Sequence, residues 1–496
     1  MLESNDARGS TELGDMPGAE FREALHRVAD WVADYRESIE ELRVSPDIAP
    51  GEIGARLPQA APELAVPFSD IFRDFEKLII PGIVHWGHPA FFGYFGSTTT
   101  SAGILGEMLM GALNVSAMTW RTSPSATELE TLVLDWLRQM LGLPINYTGV
   151  VYDSASIAVM HALAAARENL GFNIRAHGLC ARPEVPGLRI YASDQAHSSV
   201  EKAAITLGIG EQNVCRVPCK TSYRMDVSAL RNAIETDLRD GLLPMAVVAT
   251  VGTTSTTSVD PVDEIAALCN EYRLWLHVDA AYGGAMALLP EGRYVMKGVE
   301  AADSIVVNPH KWLFVPLDFS ALYVRRPELL RATFSLVPEY LRGDAEQAER
   351  NYMDYGIQLG RRFRALKAWM VIRNFGREGL ATRIREHIRL ARLFASWLDA
   401  DSRFQLLAPV TMAVVCFRIA PHELGSIPAV DQELNSLNRR LVEAVNRTGK
   451  AYLTYTTLNG QVAMRLAVGN ILTTERHLAQ VLELIRRESA ALRVGP

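Results

Sequence analysis

The chain contains three short apolar runs in close succession, MAVVATV (residues 245–251), LWLHV (274–278) and SIVV (304–307). Three further runs extend the pattern across the middle of the chain: GVVY (149–152), LRIYA (188–192) and ALYV (321–324). Stretches with helical patterns separate these runs, and such an alternation is typical of βαβ units. The sequence therefore predicts an α/β fold with a mostly parallel sheet that helices cover on both faces.

The length and charge of the chain fit a globular protein of several domains. It has 496 residues, with 50 Lys and Arg against 57 Asp and Glu, and a formal net charge of −7. This length suffices for roughly two to four domains, each with a core of its own. A nucleic-acid binder or a protein that docks on anionic membranes would carry a basic surface, so the acidity argues against both.

Cysteine usage and the N-terminus both favour a cytoplasmic protein. The five cysteines are few and odd in number, and their spacing matches no zinc site, so we expect reduced thiols. Residues 1–17 are polar and acidic without an apolar run, which predicts a disordered leader rather than a signal peptide. No stretch has the roughly 20 apolar residues of a membrane span, so we expect no membrane association.

A helical segment precedes the α/β region. Apolar residues from Phe21 to Leu42 recur at spacings of four and three, which makes a heptad seam on a helix that ends before Pro46. Periodicity alone allows two interpretations, an amphipathic helix that lies on its own domain or an arm that lies on another subunit. A second helix is predicted near residues 68–79, after a proline-rich connection.

The C-terminal part is predicted to be a small α+β domain. A helix from Arg361 to Asn374, ended by Gly376, leads into it, and a charged loop at 338–352 precedes that helix. Strands are predicted near 412–419 and 461–468, and a last helix over 474–492. These elements divide the chain into four parts: the leader (1–17), an N-terminal helical segment (18–100), a large domain (101–367) and a small domain (368–496).

Polar residues follow the predicted strands, at the edge where parallel sheets bind ligands. Ser154 and Ser156 follow the first strand at the start of a helix, where backbone N–H groups form an anion site. His197 follows the second strand, and Thr254 lies in a polar turn after the third. Asp279 stands at the end of a buried strand, where a carboxylate is costly unless a cationic group meets it.

A lysine with apolar neighbours completes this set. Lys311 follows SIVV within the string NPHKW (308–312), and a lysine shielded from water becomes a nucleophilic amine suited to Schiff-base chemistry. Each feature alone has a simpler structural explanation, such as N-capping or a lysine that reaches solvent. Together these features meet the requirements of pyridoxal 5′-phosphate (PLP). They supply a lysine that can form an imine, a carboxylate for a pyridinium nitrogen, an imidazole that can stack on a ring, and a phosphate site.

The sequence resembles the group II PLP-dependent decarboxylases, and most closely the aromatic-L-amino-acid decarboxylases. The resemblance runs from about Glu20 to about Glu488 and rests on several strings in the right order: SP (123–124) with ELE (128–130), SDQAHSS (193–199), WLHVDAAY (275–282), NPHKW (308–312) and LGRRFR (359–364). It implies the fold of PLP-dependent transferases of fold type I. It also implies a homodimer in which residues 18–100 pack on the partner subunit, with 101–367 as the PLP-binding domain.

The resemblance assigns roles to individual residues. Lys311 is implied to carry the cofactor, Asp279 to pair with its ring nitrogen, and His197 to stack on the ring opposite Ala281. Tyr340, in the charged loop, is implied to be the acid that protonates Cα, while His197 helps to order the site. The other implied cofactor contacts are Ser154, Ala155, Ser156, Thr254, Asn308 and His310. The implied substrate-pocket residues are Trp86, Tyr94, Phe95, Ser116, Met118 and Gly360.

The implied reaction is decarboxylation of an aromatic L-amino acid (tryptophan, tyrosine, DOPA or phenylalanine) to the amine and CO₂. Asp153 departs from the family, which often has Gly there, and places an acid next to the expected phosphate site. Ser116 and Met118 stand where apolar or aromatic residues are common, which predicts a roomier or more polar pocket. Gly360 leaves space that favours an indole side chain.

Three alternatives remain open at this point. A decarboxylating aromatic aldehyde synthase shares the scaffold, but the presence of both Tyr340 and His197 argues against it. A decarboxylase of acidic amino acids would need a cationic pocket in place of the aromatic residues. A non-catalytic PLP-binding protein is disfavoured because every chemical position is filled.

Overall fold

The computed structural model describes residues 15–336, 350–420 and 428–494. The middle of the chain forms a seven-stranded sheet with the order β1-β7-β6-β5-β4-β2-β3. Strand β7 runs opposite to the other six strands, which all point the same way. This confirms the predicted α/β fold with a mostly parallel sheet. The strands are Thr148–Tyr152 (β1), Leu188–Ser193 (β2), Val214–Val217 (β3), Leu243–Thr250 (β4), Trp275–Asp279 (β5), Ser304–Val307 (β6) and Ser320–Val324 (β7).

Helices cover both faces of this sheet. Every residue of β5 is buried, and successive side chains of a strand point to opposite faces, so neither face is open to water. The helices are Gly18–Glu37 (α1), Glu52–Arg56 (α2), Phe68–Asp74 (α3), Ser101–Leu113 (α4), Pro124–Leu141 (α5), Ala155–Glu168 (α6), Ile174–His177 (α7), Ser199–Thr206 (α8), Val227–Arg239 (α9), Val262–Tyr272 (α10), Pro309–Trp312 (α11), Pro327–Phe334 (α12), Ala365–Asp399 (α13), Pro428–Arg447 (α14) and Glu475–Val494 (α15). Within the described ranges, no helix is long and apolar enough to cross a membrane.

The C-terminal part contains a second, antiparallel sheet with the order β10-β11-β9-β8. Helices α13 and α14 pack on it, and α15 packs on these two helices, in an α+β arrangement. Its strands are Phe404–Leu406 (β8), Val414–Ile419 (β9), Thr454–Leu458 (β10) and Gln461–Ala467 (β11). The two predicted strands of this part and its last helix are confirmed within a few residues.

Helix α1 lies on the surface of the protomer. None of its 20 residues is buried, and Phe21 and Leu25 of the predicted seam are 57% and 42% exposed. The seam was predicted to continue to Leu42, but the helix ends at Glu37. Both the backbone N–H and the hydroxyl of Ser38 donate to the Asp34 carbonyl, and this closes the last turn.

Other helix and strand boundaries differ from those predicted. The helix predicted from Arg361 begins at Ala365, and it resumes after the interruption at Gly376 (φ +62°) instead of ending there. Strands β3, β8 and β10 were not predicted, because they are short or half-exposed and lack a continuous apolar run. The predicted leader and charged loop fall mostly on residues 1–14 and 337–349, which lie outside the described residues.

A buried ion pair joins α5 to the polypeptide that enters α13. Arg361 and Glu130 form two hydrogen bonds of 2.5 and 3.1 Å, and both side chains are less than 5% exposed. The guanidinium also donates to the carbonyls of Ala117 and Val151, and the Val151 N–H donates to Glu130. This network ties β1 to two elements that are distant in sequence, so each member depends on the others.

Glu130→Gln should therefore destabilise the protein strongly. It leaves the Arg361 charge buried without compensation, and loss of one partner from such a pair costs about 3 kcal/mol or more. Denaturant unfolding followed by tryptophan fluorescence at fixed protein concentration measures the effect. The matched control is Glu291→Gln, which breaks the exposed pair with Arg385 and should leave the midpoint almost unchanged. Equal shifts in the two variants would contradict the assignment.

Candidate active site

The carboxyl ends of the parallel strands meet beside a cavity of about 900 Å³. Loops of the large sheet form one wall, the segment around residues 86–97 forms another, and the small sheet closes a third side. The cavity is lined by Trp86, Tyr94, Phe95, Ser97, His197, Thr254, Ser255, His310, Lys311, Leu317, Val442, Glu443, Asn446, residues 452–456 and Arg465. The structure thus brings seven of the predicted site residues to one place.

Lys311 lies on the short helix α11, directly after strand β6. Its ammonium nitrogen lies 5.1 Å from the centre of the Phe95 ring. Burial lowers the pKa of Lys311, the Arg465 charge lowers it further, and the carboxylate of Asp279 acts in the opposite direction. A lysine with a lowered pKa is more often neutral, and the neutral amine is the form that attacks a carbonyl carbon.

A stack of three aromatic rings lies next to this lysine. The Phe95 ring packs on Tyr282 at 3.9 Å between centroids, and Tyr282 packs on Trp312 at 4.6 Å. The indole N–H of Trp312 donates to His387 at 3.1 Å. The Phe95 ring beside the Lys311 amine is therefore backed by two further stacked rings, as a preorganised site requires.

Asp279 is the last residue of β5 and is 6% exposed. Within the described residues, its carboxylate accepts one hydrogen bond, from the Ala281 backbone N–H at 3.1 Å. The carboxylate forms no salt bridge with a described lysine, arginine or histidine, and a buried carboxylate without a cationic partner is costly. A protonated ring nitrogen would supply that partner.

His197 lines the same cavity in its neutral form. Burial lowers its pKa, and its Nδ1 accepts a hydrogen bond from the Ser199 backbone N–H at 3.1 Å. This bond places the proton of the neutral ring on Nε2. A neutral, fixed imidazole is suited to pack against the face of an aromatic cofactor.

The start of helix α6 carries the predicted phosphate site. Ser154 caps the helix and accepts a hydrogen bond from the Ile157 N–H at 3.4 Å, and Ala155 and Ser156 form the first turn. The neighbouring acid, Asp153, accepts hydrogen bonds from the Ser154 hydroxyl at 3.1 Å and from the side-chain amide of Gln358 at 2.9 Å. Each carboxylate oxygen of Asp153 thus accepts a hydrogen bond from another side chain of the protein.

Asn308 and His310 flank Lys311 on α11 and its N-terminal end. The buried Asn308 has a carbonyl oxygen with no hydrogen-bond partner among the described residues, and its amide nitrogen lies 3.3 Å from His310 Nε2. Burial lowers the pKa of His310 to about 4, so its ring is neutral near pH 7. Together these residues fit PLP. The nucleophilic amine suits its aldehyde, the carboxylate that lacks a cation suits its ring nitrogen, and the polar groups at a helix start suit its phosphate.

Three predicted pocket residues lie elsewhere in the protomer. Ser116 pairs with Arg362 in an isolated bridge, and the Met118 carbonyl accepts a hydrogen bond from the Met353 N–H at 3.0 Å. Gly360 is exposed, and a Cβ atom there would meet no atom within 4 Å. None of these three lines the cavity of Lys311. The predicted catalytic residue Tyr340 lies outside the described residues.

Sequence reasoning missed the residues of the small sheet region that line this cavity, among them Tyr452 and Arg465. Tyr452 stacks on Phe91 at 5.2 Å, and burial raises its pKa to about 12. Arg465 lies in the middle of β11 and is 4% exposed. A single arginine within the apolar string VAMRLAV (462–468) was a usable signal, because a charge inside a buried strand needs a reason.

Comparisons with known proteins identify the family of the chain. The sequence model of the pyridoxal-dependent decarboxylase conserved domain matches residues 50–420. The chain is 41% identical to tryptophan decarboxylase 2 of Oryza sativa over 97% of both chains, and 39% identical to phenylacetaldehyde synthase of a Rosa hybrid cultivar over 95% and 94%. The chain belongs to the pyridoxal-dependent decarboxylase family.

A solved structure extends the match to three dimensions. The crystal structure of the Oryza sativa TDC with PLP and tryptamine superposes with a TM-score of 0.91 at 36% identity, and covers 97% of this chain and 99% of that one. The protein is therefore a PLP-dependent carboxy-lyase of fold type I, with a small C-terminal domain, and PLP is its cofactor. The fold, the enzyme class and the cofactor expected from the sequence are confirmed.

Replacing Lys311 by alanine should abolish turnover, because no other lysine among the described residues lines the cavity. The visible absorbance of the bound cofactor should be lost as well. Absorption spectra and amine production of the purified decarboxylase measure both effects. Lys297→Ala is the control, because that lysine is exposed and pairs with Asp263 outside the cavity. Turnover that persists in Lys311→Ala would remove this lysine from its role.

Proposed function

We propose that this enzyme decarboxylates aromatic L-amino acids, among them tryptophan, tyrosine, DOPA and phenylalanine, to the corresponding amines. The observation that carries the proposal is the aromatic wall of the Lys311 cavity. The rings of Trp86 and Tyr94 lie 5.4 Å apart and within 3° of parallel, and Phe95 follows them. Flat apolar faces favour an aromatic side chain through stacking and burial.

The residues of this chain divide the work between binding and proton control. When bound, PLP accepts the electron pair that the breaking bond between Cα and the carboxylate releases. Lys311 supplies the neutral amine that holds the cofactor and returns when product leaves. Asp279 holds the proton on the ring nitrogen, and His197 packs on the ring face. We assign protonation of Cα to Tyr340, on the resemblance.

The rival reactions on the same scaffold fit the cavity less well. An acidic substrate needs cationic groups for two carboxylates. Among the described lining residues, Lys311 is committed to the cofactor, which leaves Arg465 as one cation for two carboxylates, and Glu443 adds a negative charge. An aldehyde synthase consumes oxygen and releases an aldehyde. We favour amine formation because Tyr340 and His197 are both present.

Product analysis tests this function. The holoenzyme is incubated with all common L-amino acids, and mass spectrometry measures amines and aldehydes while an oxygen electrode follows O₂. We expect aromatic amines with little oxygen consumption. Predominant aldehyde with peroxide would favour the synthase, and γ-aminobutyrate or β-alanine as the main product would overturn the aromatic assignment.

The role of Tyr340 is tested in the same assay. Tyr340→Phe keeps the ring but removes the acidic proton, so amine output should fall several-fold, with aldehyde and oxygen consumption rising. The control is Tyr294→Phe, because Tyr294 is 59% exposed and does not line the cavity. Unchanged amine output in Tyr340→Phe would assign the proton donor elsewhere.

We also propose that the enzyme acts as a cytoplasmic homodimer in which residues 18–100 pack on the partner. Helix α1 buries none of its residues, and α4 exposes the apolar residues Leu105, Met108, Leu109 and Leu113. Exposed apolar surface of this extent is typical of an interface. Three predicted pocket residues lie apart from the cavity of their own protomer: Ser116, Met118 and Gly360. In such a dimer they are available to contact the partner subunit.

The dimer is tested by light scattering coupled to size-exclusion chromatography. The wild-type protein should have twice the 54.8 kDa mass of the chain. The double variant Leu105→Lys/Leu109→Lys places two charges on the apolar face of α4 and should shift the protein toward the monomer. Ile145→Lys is the control, because Ile145 is 86% exposed and lies outside α4. A wild-type monomer would refute the proposal.

A further inference from the structure

Asp153 is an acidic side chain at the predicted phosphate site, and it engages a group that a phosphate would use. Its Oδ1 accepts a hydrogen bond from the Ser154 hydroxyl at 3.1 Å, while the Ser154 oxygen accepts one from the Ile157 N–H at 3.4 Å. A serine hydroxyl has a single proton to donate. While Asp153 accepts that proton, Ser154 has none to donate to a phosphate oxygen.

The Asp153 carboxylate is held on its other side as well. Its Oδ2 accepts a hydrogen bond from the Gln358 side-chain amide at 2.9 Å. The segment that carries Gln358 packs tightly on α6: the Ile357 N–H donates to His161 Nε2 at 3.4 Å, and a Cβ atom on Gly356 would lie 2.8 Å from the His161 ring. Asp153 would therefore lose two hydrogen bonds if its side chain rotated away from an incoming anion.

The charge of Asp153 has no cationic partner in the described chain, because its carboxylate forms no salt bridge there. His161 of α6 is a titratable group that interacts with Asp153, but burial lowers the pKa of His161 to about 4, so its ring is neutral near pH 7. An anion bound by the Ser154 hydroxyl would share that hydroxyl with the Asp153 oxygen. Two anions at such close range repel each other, and the low dielectric of a protein strengthens the repulsion.

We propose that Asp153 lowers the affinity of the enzyme for PLP by opposing the phosphate group at the start of α6. The inference rests on the predicted phosphate site and concerns how firmly that site holds the cofactor. The N–H groups of the first turn of α6 and the Ser156 hydroxyl still attract the phosphate, so PLP binds. It exchanges more readily than in a site without the acid, and the fraction of enzyme that carries PLP follows the concentration of free PLP more closely.

Binding of PLP and of pyridoxal to the full-length apoenzyme tests the proposal without turnover. Pyridoxal keeps the aldehyde and the ring nitrogen but lacks the phosphate. Asp153→Asn removes the charge, keeps an oxygen that can accept from Ser154, and should tighten PLP binding about tenfold. Its affinity for pyridoxal should change less than about twofold. Fluorescence titration measures both affinities, and dialysis of the loaded protein should show slower loss of PLP from the variant.

Asp153→Gly is the second variant, because glycine is common at this position in the family. It removes the charge and also frees the Ser154 hydroxyl, so PLP affinity should rise at least as much as in Asp153→Asn. The matched control is Asp240→Asn, which removes the same charge elsewhere. Asp240 is exposed at the end of α9 and precedes β4, so it lies at the edge of the sheet opposite the cofactor site. PLP affinity should not change in this control.

Three results would overturn the proposal. Unchanged PLP affinity in both Asp153 variants would show that the acid does not act on the cofactor. Weaker PLP binding in these variants would show that the acid supports the site. Equal tightening for PLP and pyridoxal would assign the effect to a part of the site other than the phosphate.

If neither Asp153 variant folds, the two serines decide. Ser154→Gly keeps a tolerated helix cap and should change PLP affinity less than about twofold, because Asp153 already takes the Ser154 proton. Ser156→Ala should weaken PLP binding about fivefold and leave pyridoxal binding unchanged, because it removes a free donor to the phosphate. An equal loss in both serine variants would refute the role of Asp153, and no loss in either would show that the phosphate site itself lies elsewhere.

Discussion

Ionisable side chains that lack a salt-bridge partner in the protein control this site. Lys311, Asp279 and Arg465 line or border one cavity, and none of the three forms a salt bridge within the described residues. Buried ions without partners cost several kcal/mol each, so the fold must hold Asp279 and Arg465 against their tendency to reach water. The aldehyde and the cationic ring nitrogen of one cofactor would satisfy Lys311 and Asp279 together.

The parallel sheet makes this arrangement possible. Strands β4, β5 and β6 run in register through a fully buried layer, so their ends cannot move independently. Asp279 and the α11 helix that bears Lys311 are therefore placed by backbone hydrogen bonds rather than by their own side-chain contacts. The antiparallel strand β7 pairs with β6 on the far side and fixes the start of α11 through the hydrogen bond from the Phe319 N–H to His310. Rigid elements supply the precision that unpaired charges need.

The parts of this design that depend on local sequence could be predicted. Apolar runs of four to seven residues located the central strands, and four of the residues that follow these strands, His197, Thr254, His310 and Lys311, line the cavity. Short, half-exposed strands such as β3 left no periodic signal, and the end of α1 depends on two hydrogen bonds from Ser38 that periodicity does not encode. Arg465 and Tyr452 reach the cavity from more than 140 residues after Lys311 along the chain. Their role depends on how the small sheet docks on the large one, which no local pattern specifies.

The docking of the small sheet also explains why the cavity has two unlike walls. The large sheet presents Lys311 and Asp279, which act on the amine and the cofactor ring. The small sheet presents Arg465, a buried cation that faces the same space. Lys311 and Arg465 both lie near the Phe95 ring, so the two walls meet around a single aromatic side chain. The cavity therefore exists only when the two sheets are docked, because neither sheet supplies all of its lining.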